Sequence, residues 1–295
     1  MARGSRLARV TALGLLGGLT LTGCDVTGSD FWVRNFLFFG WPEGVTEEAD
    51  AMRSLWFWSA HAANVVGTIT WGLIFFAILR YKKRGNQLPK QTAYNLPLEI
   101  VYTIIPFLII AGLFFFTVVT QNEVQERSED PEVTVAVNAF KWNWQFVYPD
   151  TAGADGEPVE TVGTSDEIPI LVLPTGQNVR FELASADVIH SFWVPDFLFK
   201  LDVIPGQENG VDNVFEVVVQ EEGAFVGRCA ELCGTYHAYM NFEVRAVSPA
   251  EYEAYLEARE SGLSTFEALE SIGEPGVAQS TSPFDLVEDA QQADG

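Results

Sequence analysis

"RCAELCGTYHAYM", Arg228 to Met240, holds two of the chain's three cysteines, one of its three histidines and one of its three methionines. Cys229, Cys233, His237 and Met240 stand within one short loop, in a chain that otherwise avoids these residue types. Such crowding of thiol, imidazole and thioether groups points to a common site. Cys229 and Cys233 could form a disulfide outside the cell, or Cys and His could bind zinc. Copper is the third reading. His190, in "HSFWVP", arrives 39 positions before Cys229, and Met240 closes the loop. Thiolate and thioether are soft donors that favour copper, and thioether is not a usual zinc ligand. A single copper uses one cysteine. Two thiolates one short turn apart can bridge a pair of metals, with one histidine on each.

The sequence around this loop alternates apolar and polar residues. "VTVAVN" puts Val133, Val135 and Val137 on one face, and "WNWQF" does the same with Trp142, Trp144 and Phe146. "VRFEL", "VFEVVV" and "NFEVRAV" repeat the pattern between Gly, Pro and Asp clusters. Short strands so punctuated predict an antiparallel sandwich or barrel. The stretch Pro149 to Glu167 is acidic and shows no periodicity, so it reads as a surface excursion. Ser248, Pro249 and Glu251 make a capping box that opens a helix, and a polar, disordered tail is expected from about Glu274.

Upstream of Pro131 the pattern is different. Leu55 to Leu79 and Leu98 to Thr120 are long apolar runs without Lys or Arg, each sufficient to cross a bilayer. The loop between them carries Arg80, Lys82, Lys83, Arg84 and Lys90 and no acid, which places it in the cytoplasm and both flanks outside. His61 reads as an interfacial residue. Glu99, one turn into the second run, is either a favourable helix N-terminal charge or part of a proton path. At the start of the chain, Arg3, Arg6 and Arg9 precede a short apolar core, a secretory signal pattern. It ends in "LTGC", which resembles a bacterial lipoprotein box and implies lipidation of Cys24.

The loop "CAELCGTYHAYM", with the helical hairpin, the outside sandwich and the aromatic run "KWNWQF", resembles cytochrome c oxidase subunit II over roughly Leu55 to Val247. The resemblance implies a two-helix transmembrane hairpin followed by an extracytoplasmic all-β, cupredoxin-like sandwich or barrel. It divides the chain into a lipoprotein-type signal peptide (1–23), an extracytoplasmic segment (24–54), the hairpin (55–120), the copper domain (121–247) and a C-terminal helix with polar tail (248–295). It implies two copper ions in a dinuclear CuA centre, held by His190, Cys229, Cys233, His237, Met240 and the backbone carbonyl of Glu231. The Glu231 side chain would bind a magnesium ion shared with subunit I. Trp142 would be the tryptophan that receives electrons, with Trp144 the alternative, and Glu99 would mark the entrance of a proton path. The family commonly has Tyr where Asn143 stands.

The function implied is that of an electron-transfer subunit in an aa3-type terminal oxidase. It takes electrons from a c-type cytochrome and passes them to subunit I, which reduces oxygen to water and pumps protons. A quinol-oxidase homologue would lack the copper ligands. A copper carrier would not need two spans and the glutamate between the cysteines. Nitrous oxide reductase would need a large second domain. No CxxCH occurs, so no haem is expected on this chain. The net charge of −23 argues against nucleic acid as a partner. From Gln121 onward stand 33 of the 40 acids and only 7 of the 17 bases. With the lipoprotein box, this acidity resembles the form found in high-GC Gram-positive bacteria, where the dihaem cytochrome of a bc complex is the donor within a supercomplex.

Overall fold

The computed structural model describes residues 36, 38–83, 85–86, 91–206 and 210–283. The expected signal sequence and the expected lipidation site, Cys24, lie outside these residues. Residues before Glu43 form a unit of their own, in which a turn is closed by Trp41 N donating to Phe38 O (3.1 Å).

Two long helices open the main unit, α1 (Glu47–Arg80) and α2 (Leu96–Val124). At 1.5 Å per residue they are about 51 and 44 Å long, against roughly 30 Å for a bilayer core. Both are long and apolar enough to span a membrane, and their most apolar stretches are not buried in protein. Each extends past the run that hydropathy predicts. The extra turns are polar: Thr46 caps α1 by accepting from Ala49 N (3.3 Å), and Glu47, Glu48 and Asp50 favour the positive end of the helix dipole.

The sheet domain is tied to the N-terminal end of α1 and to the chain that leaves the C-terminal end of α2. Val45 N donates to Asp196 O (2.9 Å), Gln220 N donates to Val45 O (2.7 Å), and the Glu48 carboxylate accepts from Val218 N (3.2 Å). Just beyond α2, Arg127 pairs with Asp212 (3.0 Å).

Among the described residues, ten strands make two five-stranded sheets. In chain order they are β1 (Val133–Phe140), β2 (Asn143–Ala152), β3 (Pro158–Val162), β4 (Ile170–Pro174), β5 (Asn178–Ser185), β6 (His190–Val194), β7 (Phe199–Val203), β8 (Val214–Val218), β9 (Gly223–Cys229) and β10 (Asn241–Val247). One sheet runs β3-β2-β1-β5-β8 and the other β4-β10-β9-β6-β7. The expected antiparallel sandwich is in fact mixed, since β1 lies parallel to β5 and β10 parallel to β4. Alternation along one strand reports which face is buried but carries no information about the direction of its neighbour. Between the sheets, Val135, Val137, Trp144, Phe146 and Phe181 meet Phe192, Val194, Phe242 and Val244, all buried.

Two segments depart from the sequence reading. The stretch Pro149–Glu167 is not a free excursion, because β3 adds a strand to the first sheet and buries Val159 and Thr161. It leans on two C-terminal helices, α3 (Pro249–Glu260) and α4 (Thr265–Ser271), each opened by a complete capping box. Arg259 donates to Glu160 O (2.6 Å), and the Thr161 and Thr265 hydroxyls are 2.9 Å apart. Residues 274–280, which follow α4, are also packed onto the sheet. Buried Arg245 reaches Glu274 (3.0 Å) and the carbonyl of Pro275 (3.0 Å), while buried Glu243 accepts from Gln279 N (2.5 Å) and Ser280 N (2.6 Å). These two β10 side chains point away from the core and are covered by the segment 274–280, which acts as a strap.

Candidate metal centre

The end of β9 and the start of β6 lie side by side, with Phe192 opposite Cys229. That pairing brings Cys229 to His190 across a long gap in sequence. The loop that follows folds back through a short turn at His237–Tyr239 and re-enters the sheet as β10. Its sulfur and nitrogen atoms converge. The Cys229 and Cys233 sulfurs are 3.8 Å apart, His190 Nδ1 is 3.8 Å from Cys229 Sγ, and His237 Nδ1 is 3.6 Å from Cys233 Sγ. Met240 Sδ lies 3.8 Å from Cys233 Sγ, and the Glu231 carbonyl 3.2 Å from Cys229 Sγ. All six predicted donors are therefore in one cluster. His190 and Met240 are fully buried, and both cysteines nearly so.

A disulfide needs sulfurs about 2.05 Å apart, so the two thiols here are free. The donor set is thiolate, imidazole, thioether and carbonyl, a soft collection suited to copper. Charge balance favours a metal as well. Burial pushes the Cys229 thiol up, but hydrogen bonding with His190 and the nearby backbone outweighs it and lowers the net value. Burial and the neighbouring Cys229 charge push Cys233 up. Two buried sulfurs 3.8 Å apart resist carrying two negative charges at once, and a bound cation would relieve that repulsion.

His190 is oriented from behind. Its Nε2–H donates to Asp187 Oδ1 (2.8 Å), which leaves the Nδ1 lone pair facing Cys229. Burial raises the Asp187 carboxyl, but hydrogen bonds from His190, Lys141 N and Val188 N hold it below its ordinary value. Asp187 escaped the sequence reading. An acid three residues before a histidine is a weak signal until the ring is known to bind something.

The two tryptophans of the aromatic run are separated by burial. Trp144 is fully buried, and its Nε1 donates to Met240 O (3.2 Å). Trp142 sits in the β1–β2 turn, half-buried, edge-on to Tyr236 of the cysteine loop with ring centroids 4.9 Å apart. It lines an open cleft of about 370 Å³ with Tyr236, Tyr239, Asn241, Thr164 and Pro283. Gly234, next to Cys233, makes this contact possible. Its φ of +129° suits glycine, and a Cβ there would lie 3.1 Å from Trp142 Nε1. Asn143 has its own partners, donating to Thr164 O (2.8 Å) and accepting from Trp144 N (2.9 Å). Gly163 is required beside it, since a Cβ there would meet Asn143 Oδ1 at 2.0 Å.

Glu99 is at the far end of α2 from the metal cluster. Its Oε1 accepts from Asn95 N (2.9 Å), so it caps the helix whatever else it does. His61, inside α1, bonds to Phe57 O through Nδ1 (2.8 Å).

Two helices long and apolar enough to span a membrane, followed by a cupredoxin-like β-sandwich with a buried cluster of thiol, imidazole and thioether groups, fit the class of membrane-bound metal-binding proteins. The family profile described as cytochrome C oxidase subunit II, periplasmic domain, matches residues 133–247. The probable cytochrome c oxidase subunit 2 of Nocardia farcinica is 46% identical, covering 96% of this chain and 89% of its own. Cytochrome c oxidase subunit 2 of Corynebacterium glutamicum is 44% identical over 91% of this chain and 90% of its own. A crystal structure of the periplasmic domain of subunit II of cytochrome oxidase from Bradyrhizobium japonicum is 27% identical. It covers 45% of this chain and 97% of that one, with a TM-score of 0.38. The chain belongs to the cytochrome c oxidase subunit 2 family. It is a membrane subunit of an oxidoreductase complex and works beside that complex's subunit I, and its family implies a CuA copper site.

Proposed function

We propose that His190, Cys229, Cys233, His237, Met240 and the Glu231 carbonyl hold two copper ions, and that the chain passes electrons from a c-type cytochrome to the haem–copper centre of an aa3-type, proton-pumping oxidase. The observation that carries this is the convergence of all six donors with the two thiols free. Copper held by these residues would supply one-electron redox chemistry.

The chain's own residues supply the rest. The core sheets fix His190 and Met240 in buried positions, so the donors need move little between oxidation states. Burial keeps water from the sulfurs, and Asp187 sets the His190 tautomer. Trp142 offers an indole that is partly exposed on one side and lies against the backbone next to Cys233 on the other. That position suits a residue which receives electrons from a docked donor. The Glu231 side chain is free to bind a magnesium ion shared with subunit I, since only its carbonyl is directed at the sulfurs. Glu99 would act at the entrance of a proton path, and Cys24 would carry a lipid. The acidic outer domain suits a basic face on the donor, such as the dihaem cytochrome of a bc complex in a supercomplex.

The test is rapid-mixing reduction of the copper centre in the purified oxidase by its cytochrome donor. Trp142→Phe should slow this step by tenfold or more and leave the copper spectrum unchanged. Reduction at the parent rate would exclude Trp142 as the receiving residue.

A further inference from the structure

Trp142 and Trp144 lie two residues apart but serve different surfaces. The Trp144 ring is fully buried, away from the cleft, so no donor protein can touch it. Its indole N–H is a donor only, and a buried donor must find an acceptor. The acceptor is the Met240 carbonyl, at 3.2 Å. The same oxygen also accepts from Cys229 N, at 3.1 Å, where β9 and β10 meet. One carbonyl thus ties the loop's last residue to two separate places, the strand carrying Cys229 and the opposite sheet.

The ring does further work on its other edges. It packs edge-on to the His190 imidazole, with centroids 6.3 Å apart, and to Phe192 and Phe242, at 5.9 and 5.2 Å. Trp144 therefore meets two of the donor-bearing positions from within the core, His190 by its ring and Met240 by its N–H, and shares the Met240 acceptor with Cys229 N. The loop from Ala230 to Tyr239 is largely exposed and has no strand of its own, so its closing end depends on such ties.

We infer that Trp144 is a positioning residue, which holds Met240 at its distance from the bridging sulfurs by a hydrogen bond from the opposite sheet. This rests on the two-copper reading above. Met240 would contribute a thioether, a weak donor, and a weak donor's distance is easily changed by its support. Axial thioether contact tunes the potential of copper–thiolate sites. With the tie removed, the thioether would sit further out, the oxidised state would be less well stabilised, and the reduction potential would rise.

The experiment uses the full chain in the assembled, copper-loaded oxidase. Trp144→Phe removes the N–H. A second variant places benzothienylalanine at position 144, keeping the bicyclic shape with sulfur in place of the N–H. Phe146→Leu is the control: it thins the same core, where Phe146 packs on Phe242, and removes no partner of the Trp144–Met240 hydrogen bond. The readouts are the copper electron paramagnetic resonance (EPR) pattern and the midpoint potential. Both position-144 variants should keep two coppers, show altered hyperfine splitting and have a higher potential, while Phe146→Leu loses thermal stability only. If Trp144→Phe does not assemble, the benzothienylalanine chain decides alone. A parent-like spectrum and potential in that chain, or equal shifts in Phe146→Leu, overturns the positioning role. A parent oxidase without the two-copper spectrum would instead refute the copper reading itself.

Discussion

Replacing Arg245 by Met should loosen the C-terminal strap and destabilise the whole outer domain. The Arg245 side chain is 2% exposed and its partner Glu243 is 0% exposed, with their charged atoms 2.5 Å apart. Arg245 also holds Glu274 and the carbonyls of Pro275 and Val277. Breaking a buried pair by removing one partner costs about 3–5 kcal/mol, chiefly because a charge is left behind. Here Glu243 keeps hydrogen bonds from Gln279 N, Ser280 N and Ser280 Oγ, so the lower end of that range, about 3 kcal/mol, applies. For a domain of roughly 150–250 residues each kcal/mol moves Tm by about 2–4 °C, giving a fall of about 6–12 °C. The assay is thermal unfolding of the full chain in detergent, with limited proteolysis across residues 274–283. Adding Glu243→Gln to Arg245→Met should restore part of the loss, since the stranded charge is removed. A fall of less than about 2 °C, with the strap as resistant to protease as in the parent, would refute the clamp.

Further outcomes follow from other parts of the molecule. Gly234→Ala places a methyl group 3.1 Å from Trp142 Nε1 on a residue at φ +129°, so reduction by the donor cytochrome should slow severalfold while reduction by a small chemical reductant holds steady. Buried Glu216 has its carboxyl lowered: desolvation opposes this, but hydrogen bonds from Ser128 N, Asn178 and Arg180 prevail. Its stabilisation is therefore complete above the ordinary value of 4.5 and is lost as pH falls below that toward the depressed folded value. Urea midpoints of parent and Glu216→Gln should differ at neutral pH and converge in acid. Glu99→Gln keeps an oxygen to accept from Asn95 N, so it should leave α2 intact. Slower oxidase turnover with normal copper reduction would then assign Glu99 to proton uptake, and unchanged turnover would leave it a helix cap.

The parts of this fold that sequence reveals are those whose causes are local. Two apolar runs longer than a bilayer and a basic loop between them announce a hairpin without any knowledge of the rest. Four donors within one loop announce a metal site because thioether and thiolate seldom gather otherwise. His190 is reachable only through its residue type and its place ahead of the cysteine loop. Contacts across the chain were invisible. Residues Pro149–Glu167 look aperiodic because β3 is short, and the helices that support it begin about ninety residues later. The strap over β10 reads as a polar tail, since Glu243 and Arg245 alternate with Phe242 and Val244 as an exposed strand face would. Only the strap itself turns those side chains into buried ones. The different placements of Trp142 and Trp144 are equally hidden, because Trp142 lies in a turn and strand alternation alone gives both one face.

Two coppers sharing one unpaired electron leave a signature that no disulfide, zinc ion or single copper can imitate. The decisive measurement is therefore the EPR spectrum of the purified full chain, taken with its copper content, for the parent and for Cys229→Ser. The parent should hold two coppers per chain and give a seven-line hyperfine pattern, which Cys229→Ser should abolish. A single copper with four lines in the parent, or seven lines persisting in Cys229→Ser, would contradict a centre bridged by Cys229 and Cys233.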